Sequence, residues 1–458
     1  MIDRGVVLIL LNSWLSHQKC ECNRKLVLTT FKETGRGVLT KKKIRPGEEL
    51  ISLPLNLTIN ITTILMDKAF QNIFTINKLK CYSLFKKSVS FQSIFAFYIV
   101  YLKSLATKSK WYIYLETLPK EYTVPYFLPN EVKPYLSSNV KSVVTRQEDI
   151  IESSYTIFVE ILSNVVDGSL FYLKEYFNRM LYEWAYFTVN TRCVFMDLCN
   201  ILDFSSLSDC VLDLINDNIK IALCPYLDMI NHSPTARNET KLIVNGDCKG
   251  FEVKNLSENM FSEIQFNLYT KNNIKAFDEV FICYGDSHNL KLLTEYGFFL
   301  PHNNLDSVPF TFDSVHKYLT SQDMKLSQQQ LQFINSHGLD KDLYIDCKGL
   351  SFNLYALLMV VKYYYKVNID VTRIIYSDHV CSESNSLNNV IRPLVEDSVV
   401  CISKEIALLQ KCEYKSPVID NCAIFFIYLL ECLSPAVEVY DCNVTSFINI
   451  FYKLVTVN

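Results

Sequence analysis

Two short segments about fifty residues apart constrain this chain more than any other feature: Asp228-Met229-Ile230-Asn231-His232-Ser233, and then Glu279-Val280-Phe281-Ile282-Cys283-Tyr284-Gly285, running on through Leu292, Leu293 and Glu295 to Tyr296-Gly297-Phe298-Phe299. Each is commonplace alone. Asn-His-Ser reads as a helix cap followed by a buried histidine, and a strand closing on Tyr-Gly is an ordinary strand-to-turn boundary. Their order and spacing give the pair its weight. A third piece lies upstream, Gly35-Arg36-Gly37 followed by Ile44-Arg45-Pro46-Gly47-Glu48-Glu49-Leu50-Ile51 and Leu53-Pro54.

Composition permits a large globular protein and little more. With 458 residues and 49% apolar content the chain can bury an extensive core. The 45 Lys plus Arg against 48 Asp plus Glu leave a net charge of −3, so no basic field points to nucleic acid or to an anionic membrane. The apolar start Val6-Val7-Leu8-Ile9-Leu10-Leu11, with Arg4 before it, invites a reading as a secretory signal, which the 16 Cys and sequons such as Asn56-Leu57-Thr58 would suit. No small-residue cleavage site follows it, however. The Cys are scattered singly through apolar runs such as Ile282-Cys283-Tyr284, the pattern of buried thiols in a reducing compartment. Only Cys20-Glu21-Cys22 is close-spaced, and it lacks the further Cys or His of a structural zinc site, so no metal is expected. The longest apolar runs, near Phe95 to Leu102 and Ala423 to Leu430, are too short to span a bilayer and read as core helices.

Along the chain the hydrophobic period changes twice. From Leu26 to Ile59, alternation punctuated by Gly35, Gly37 and Pro46-Gly47 predicts short strands with tight turns. Residues 60 to about 190 carry helical periodicity, with Phe91, Ile94, Phe95, Tyr98 and Leu102 on one face, and Phe171, Leu173, Tyr176, Phe177 and Met180 contributing to another. Short strands resume between Ile219 and Phe299. After Pro309 the segments Leu354 to Tyr365, Val390 to Leu409 and Ala423 to Cys432 are again helical, and Leu354, Leu357, Leu358 and Val361 form a face suited to packing on the region before it. Absences narrow the chemistry. No G-x-G-x-x-G follows a strand, and there is no Walker A, H-E-x-x-H or G-x-S-x-G motif.

The three pieces, in this order, resemble the SET-domain protein methyltransferases, and among them the class typified by the Rubisco large-subunit methyltransferase. The resemblance implies an α+β fold: a SET domain of short β-strands with a pseudoknot, a largely helical insert and an α-helical C-terminal lobe. On this chain the parts would be 20–60 for the N-terminal part of the SET domain, 61–218 for the insert, 219–300 for the C-terminal part with the pseudoknot, and 310–458 for a substrate-binding lobe. Trp14-Leu15 falls where such proteins have an opening helix, which favours a packed N-terminal segment over a cleaved one. The resemblance further implies S-adenosylmethionine as cofactor and a lysine side chain of a protein, a histone or another nuclear or cytosolic protein, as the methyl acceptor.

Roles follow from the same likeness. Tyr284 would be the catalytic tyrosine beside the transferring methyl group, its hydroxyl orienting the amine. Cofactor binding would fall to Gly35, Gly37, Arg192, Asp228, Asn231, His232, Tyr284 and Phe298, with Arg192 set against the cofactor's carboxylate and the glycines allowing close approach of backbone. Tyr296 would line the substrate channel, and Arg36 would face solvent. A lysine amine at pH 7 sits about 3.4 units below its reference pKa, so presenting it neutral costs about 4.6 kcal/mol. Aligning sulfur, methyl and amine can return about 7 to 11 kcal/mol. Leu39 and the Cys193-Val194 pair depart from relatives that modify histidine, which tilts the acceptor toward lysine. The expected enzyme is a cytoplasmic and nuclear protein-lysine N-methyltransferase with no direct contact to nucleic acid or membrane. A protein-histidine methyltransferase, or a catalytically weak SET-like scaffold, is the alternative.

Overall fold

A computed structural model describes residues 4–18, 20–77, 83–165, 170–204, 209–244, 251–252, 263–365, 370–376 and 384–439. The chain divides into two compact units, residues 1–122 with 145–286, and residues 123–144 with 287–458.

The first unit contains two four-stranded sheets. In one, Glu49–Pro54 lies between Glu21–Cys22 and Ile264–Thr270, with Asn238–Val244 on the outer side of Ile264–Thr270. Ile264, Phe266 and Leu268 alternate into the core, and Phe266 and Leu268 pair with Leu53 and Ile51, the period-two pattern of a half-buried strand. The other sheet is built on the hairpin Leu26–Phe31/Gly35–Thr40, in which Phe31 pairs with Gly35 across a three-residue loop. Gly35 adopts φ +73°, the left-handed geometry that returns such a loop to its partner strand and that strains residues with a Cβ. Glu279–Ile282 runs antiparallel beside this hairpin, pairing at Leu39 and Val38, and parallel to Asn231–His232 on its other side. Its four residues therefore bring three distant motif segments side by side.

Helices pack around these sheets. Ser90 caps Phe91–Ser104 by accepting from Ser93 N, and the helix is buried nearly all round, so Phe97, Ile99 and Val100 join the expected face. It packs against Arg179–Arg192. The face expected from Phe171 to Met180 does not form as one surface. Asn178 accepts from Leu181 N and starts a new helix, so the period restarts there. Leu173 and Phe177 are buried, while Tyr176 is 40% and Met180 80% exposed. At the N-terminus the helix Arg4–His17 buries Leu11 and Leu15 and sets Trp14 against Trp111 at 5.9 Å. The Asn56 sequon is packed as well: Thr58 is wholly enclosed, and Asn56 Oδ1 is buried. Asn443, a second sequon, lies outside the described residues.

The second unit is helical, as the periodicity after Pro309 predicts, with helices Phe352–Tyr363, Ser384–Gln410 and Pro417–Val439 over the expected segments. It also holds a three-stranded antiparallel sheet, Ser307–Phe310, Leu343–Asp346 and Gly349–Leu350, that the sequence reading did not anticipate. Pro309 lacks an N–H for a strand ladder. It is tolerated because Ser307–Phe310 is an edge strand, which has a free side for a residue with no N–H. Leu354, Leu357 and Leu358 pack into this unit's own core, with Val361 against it, rather than forming a face for the catalytic region. Residues 123–144, expected in the insert, belong to this unit too, and its C-terminal stretch starts at residue 287, where 310 was expected. Buried Asn289 explains that boundary: its N–H and Nδ2 donate to the Asp306 carboxylate at 2.6 and 2.5 Å, and its Oδ1 accepts from Leu300 N at 2.6 Å, closing residues 289–306 into one loop.

Candidate active site

Tyr284 and the Ile230–His232 segment hold each other in the first unit. The Tyr284 hydroxyl donates to Ile230 O at 2.8 Å, and the Tyr284 N–H donates to His232 Nδ1 at 3.0 Å. Ser233 N–H donates to Ile282 O at 3.0 Å, and the Tyr284 and His232 rings lie 5.1 Å apart. Because the phenolic hydrogen is committed to a backbone carbonyl, the oxygen presents lone pairs, and its use toward an incoming amine is as an acceptor. An Nδ1 that accepts a hydrogen bond places the neutral imidazole's proton on Nε2, so His232 orients the Tyr284 backbone.

Burial lowers the His232 pKa from the ordinary 6.5, outweighing a backbone hydrogen bond to Ile282 that raises it. A depressed folded-state value means that the unfolded chain binds the proton first, so the contribution of this contact is complete above pH 6.5 and is lost as pH falls through the lowered value. Melting temperature followed from pH 8 to pH 5 should therefore drop on the acid side, and His232→Gln should flatten that part of the curve. Identical acid limbs for the two proteins would remove His232 from the account.

Arg192 ends the helix Arg179–Arg192 and donates through Nη1 to Asp228 O at 2.8 Å, with Asp228 Oδ2 at 3.9 Å. The Asp228 side chain has no exposed surface. Its Oδ2 accepts from the Tyr114 hydroxyl at 3.0 Å, and its Oδ1 is buried with no hydrogen-bond partner. Burial raises the Asp228 pKa from its ordinary value even though Arg192 and Tyr114 oppose the shift. Burial works against the Arg192 charge, and Asp228 together with Tyr122, Tyr284 and Tyr114 outweighs it, so the guanidinium is held cationic. Asp228, expected as a cofactor contact, has its side chain enclosed in the protein and holds Arg192. Arg192 keeps further N–H groups for a planar anion. Upstream, Tyr226 adopts φ 74° and ψ −46°, a strained backbone for a buried aromatic residue, and leads into the 3₁₀ turn Leu227–Met229 that delivers Ile230 and Asn231.

The glycine loop closes the arrangement. Asn231 Nδ2 donates to Arg36 O at 2.9 Å and to Glu279 Oε1 at 2.7 Å. A Cβ on Gly37 would lie 2.5 Å from Glu279 Oε1 and 2.7 Å from Asn231 Nδ2. The space above Gly37 is therefore filled by these two side chains, a different need for glycine from the cofactor approach expected of it. Arg36 is part-buried, not solvent-facing, and its Nη1 donates to Thr117 O at 2.6 Å.

Gly35, Gly37, Arg192, Asp228, Asn231, His232 and Tyr284 all fall in the first unit. Tyr296 and Phe298 fall in the second, Tyr296 ending the π-helical turn Leu292–Tyr296, with their rings 6.1 Å apart. Two partners in the site went unassigned in the sequence reading: Glu279, which stands inside a quoted motif, and Tyr114, which no local signal marks. Among the described residues no group of three or more His, Cys, Asp or Glu is placed to hold a metal ion, and no helix is long and apolar enough to cross a membrane. Cys193, Cys224, Cys283, Cys412 and Cys422 are free thiols.

The architecture is the SET-domain methyltransferase fold. Over 95% of this chain and 91% of the other, it superposes on the crystal structure of the SET domain of LSMT bound to lysine and AdoHcy with a TM-score of 0.58 at 14% identity. No family model matches the chain. In sequence it is similar to the mouse SET domain-containing protein 4, 28% identical over 351 residues that cover 77% of this chain and 71% of that protein. It is similar also to SET domain-containing protein 4 of Artemia parthenogenetica, 27% identical over 427 residues that cover 93% and 94%.

Proposed function

We propose that this chain is an S-adenosylmethionine-dependent protein-lysine N-methyltransferase. The observation that carries the reading is the double anchoring of Tyr284: its hydroxyl is held on Ile230 O and its N–H on His232, so the phenol oxygen is fixed beside the strand pair that joins the motif segments. The cofactor, when bound, supplies a methyl group on a sulfonium. The donor set suits such a molecule. Arg192 has N–H groups left for its carboxylate, and Asn231 Oδ1, which accepts from no described residue, is available to its ammonium.

Toward the substrate, Tyr284 contributes an acceptor that turns the amine lone pair away from itself. Lysine is favoured over histidine because Cys193, which follows Arg192, is held as a neutral thiol by burial and offers an imidazole no strong partner. The substrate class we favour is a nuclear or cytosolic protein, histones among them, in a chain that itself resides in those compartments. Substrate choice is assigned to the second unit, whose described residues carry no constellation that resembles an active site. Labelled S-adenosylmethionine incubated with the purified chain and a protein extract depleted of methyl marks, followed by residue-level mass spectrometry, should place label on lysine. Label confined to histidine would replace the acceptor, and absence of label would contradict the enzyme reading.

A further inference from the structure

The Glu279 carboxylate is shared by two of the motif segments. Its Oε1 accepts from Asn231 Nδ2 at 2.7 Å and from Thr34 Oγ1 at 2.9 Å, and its Oε2 lies 2.7 Å from the same hydroxyl. Around Asn231 Nδ2 stand the Glu279 carboxylate, Arg36 O at 2.9 Å and Thr34 O at 3.4 Å, every one an acceptor. An amide inverted about its last torsion would set Oδ1 against all of these oxygens, one of them on a carboxylate, and would lose every bond that Nδ2 makes. Only one orientation is therefore tenable, and it turns Oδ1 away from the cluster. There it accepts no hydrogen bond from any described residue.

We propose that Glu279 is a positioning residue for cofactor binding: together with Thr34 it locks the Asn231 amide with Oδ1 outward, so that Asn231 accepts a hydrogen bond from the ammonium group of the cofactor's amino-acid end. The proposal rests on the reading that this site takes S-adenosylmethionine. Through Thr34 the same carboxylate ties the turn before Gly35 to the strand Glu279–Ile282, so the glycine loop and the amide are set by one group. The negative charge is not what the lock requires. A glutamine could accept from Asn231 through its Oε1 while its Nε2 donates to Thr34 Oγ1, reproducing the pattern with a neutral group.

Titration calorimetry of the 458-residue chain with two ligands tests this. S-adenosylhomocysteine carries the ammonium, whereas 5′-methylthioadenosine keeps the nucleoside and thioether but has no amino-acid end. Glu279→Ala should weaken S-adenosylhomocysteine about tenfold while leaving 5′-methylthioadenosine within about twofold of the unsubstituted protein. Glu279→Gln should restore the first ligand to within about threefold. A parallel loss of both ligands in Glu279→Ala would make Glu279 a support of the fold alone and overturn the proposal. So would a Glu279→Gln as damaging as Glu279→Ala, which would assign the effect to charge. Should Glu279→Ala fail to fold, Thr34→Val removes one leg of the lock and should weaken S-adenosylhomocysteine selectively by about threefold; unchanged binding would overturn the lock. Failure of the unsubstituted, folded chain to bind either ligand would instead remove the reading on which the proposal stands.

Discussion

Tyr284→Phe should lower turnover at least about 100-fold while changing S-adenosylhomocysteine affinity by no more than about twofold. The phenylalanine ring keeps its place beside His232, and the backbone N–H still donates to His232 Nδ1, so the local frame survives. What disappears is the oxygen fixed on Ile230 O, the only part of Tyr284 assigned to orienting the amine. The Ile230 carbonyl also loses its donor, which should cost about 1 kcal/mol of stability and appear as a small fall in melting temperature. Single-turnover rates and calorimetric binding separate these effects. Normal turnover in Tyr284→Phe would remove the residue from the chemistry, and a matched loss of affinity would mean that the hydroxyl mainly supports the cofactor site.

Among the described glycines of the first unit, Gly37→Ala should be the most damaging alanine substitution. The added Cβ would sit 2.5 Å from Glu279 Oε1, 2.7 Å from Asn231 Nδ2 and 3.0 Å from Phe31 Cε2, so the carboxylate and the amide that occupy that space must move apart. Their separation breaks the hydrogen bond that joins the strand Glu279–Ile282 to Asn231. Affinity for S-adenosylhomocysteine should fall about tenfold or more, and turnover with it. Gly35→Ala is the informative control. Its Cβ would meet nothing within 4 Å, and its penalty comes only from the backbone at φ +73°. Strain of that kind costs about 1 to 2 kcal/mol of stability, read as a lower melting temperature with a smaller loss of affinity. Equal loss of affinity in the two variants would show that the crowding at Gly37 does not matter.

The parts of the fold that could be read from sequence were those written in local pattern. The burial of Phe91, Ile94 and Phe95, the strands around Leu26 and Leu50, and the helices after residue 350 follow from period and punctuation, and each is present. The reading failed where one residue reset the period and where a short edge strand went unanticipated. Asn178 restarts a helix and leaves Met180 in solvent, and Pro309 sits in an edge strand. In the site, the motifs named Asn231, His232 and Tyr284 but could not say which atoms face one another. The Asn231–Glu279 bond spans 48 residues, the Thr34–Glu279 bond 245, and the Tyr114–Asp228 bond 114. Contacts of that range leave no local period, so Glu279 and Tyr114 acquire roles only once the strands are placed together. Asp228 shows the reverse case. The motif marked it as functional, but only the assembled structure shows that its side chain is enclosed and that its carbonyl oxygen holds Arg192.

The central claim is that the cluster around Asn231 in the first unit binds S-adenosylmethionine. Titration calorimetry of the unsubstituted chain and of Asn231→Ala with S-adenosylhomocysteine tests it most directly. One-site binding near about 1 μM, which corresponds to about −8 kcal/mol, is expected for the unsubstituted chain. Asn231→Ala, in a variant whose folding is verified by circular dichroism, should bind at least about tenfold more weakly. No measurable binding by the folded, unsubstituted chain, or equal affinity in Asn231→Ala, would contradict it.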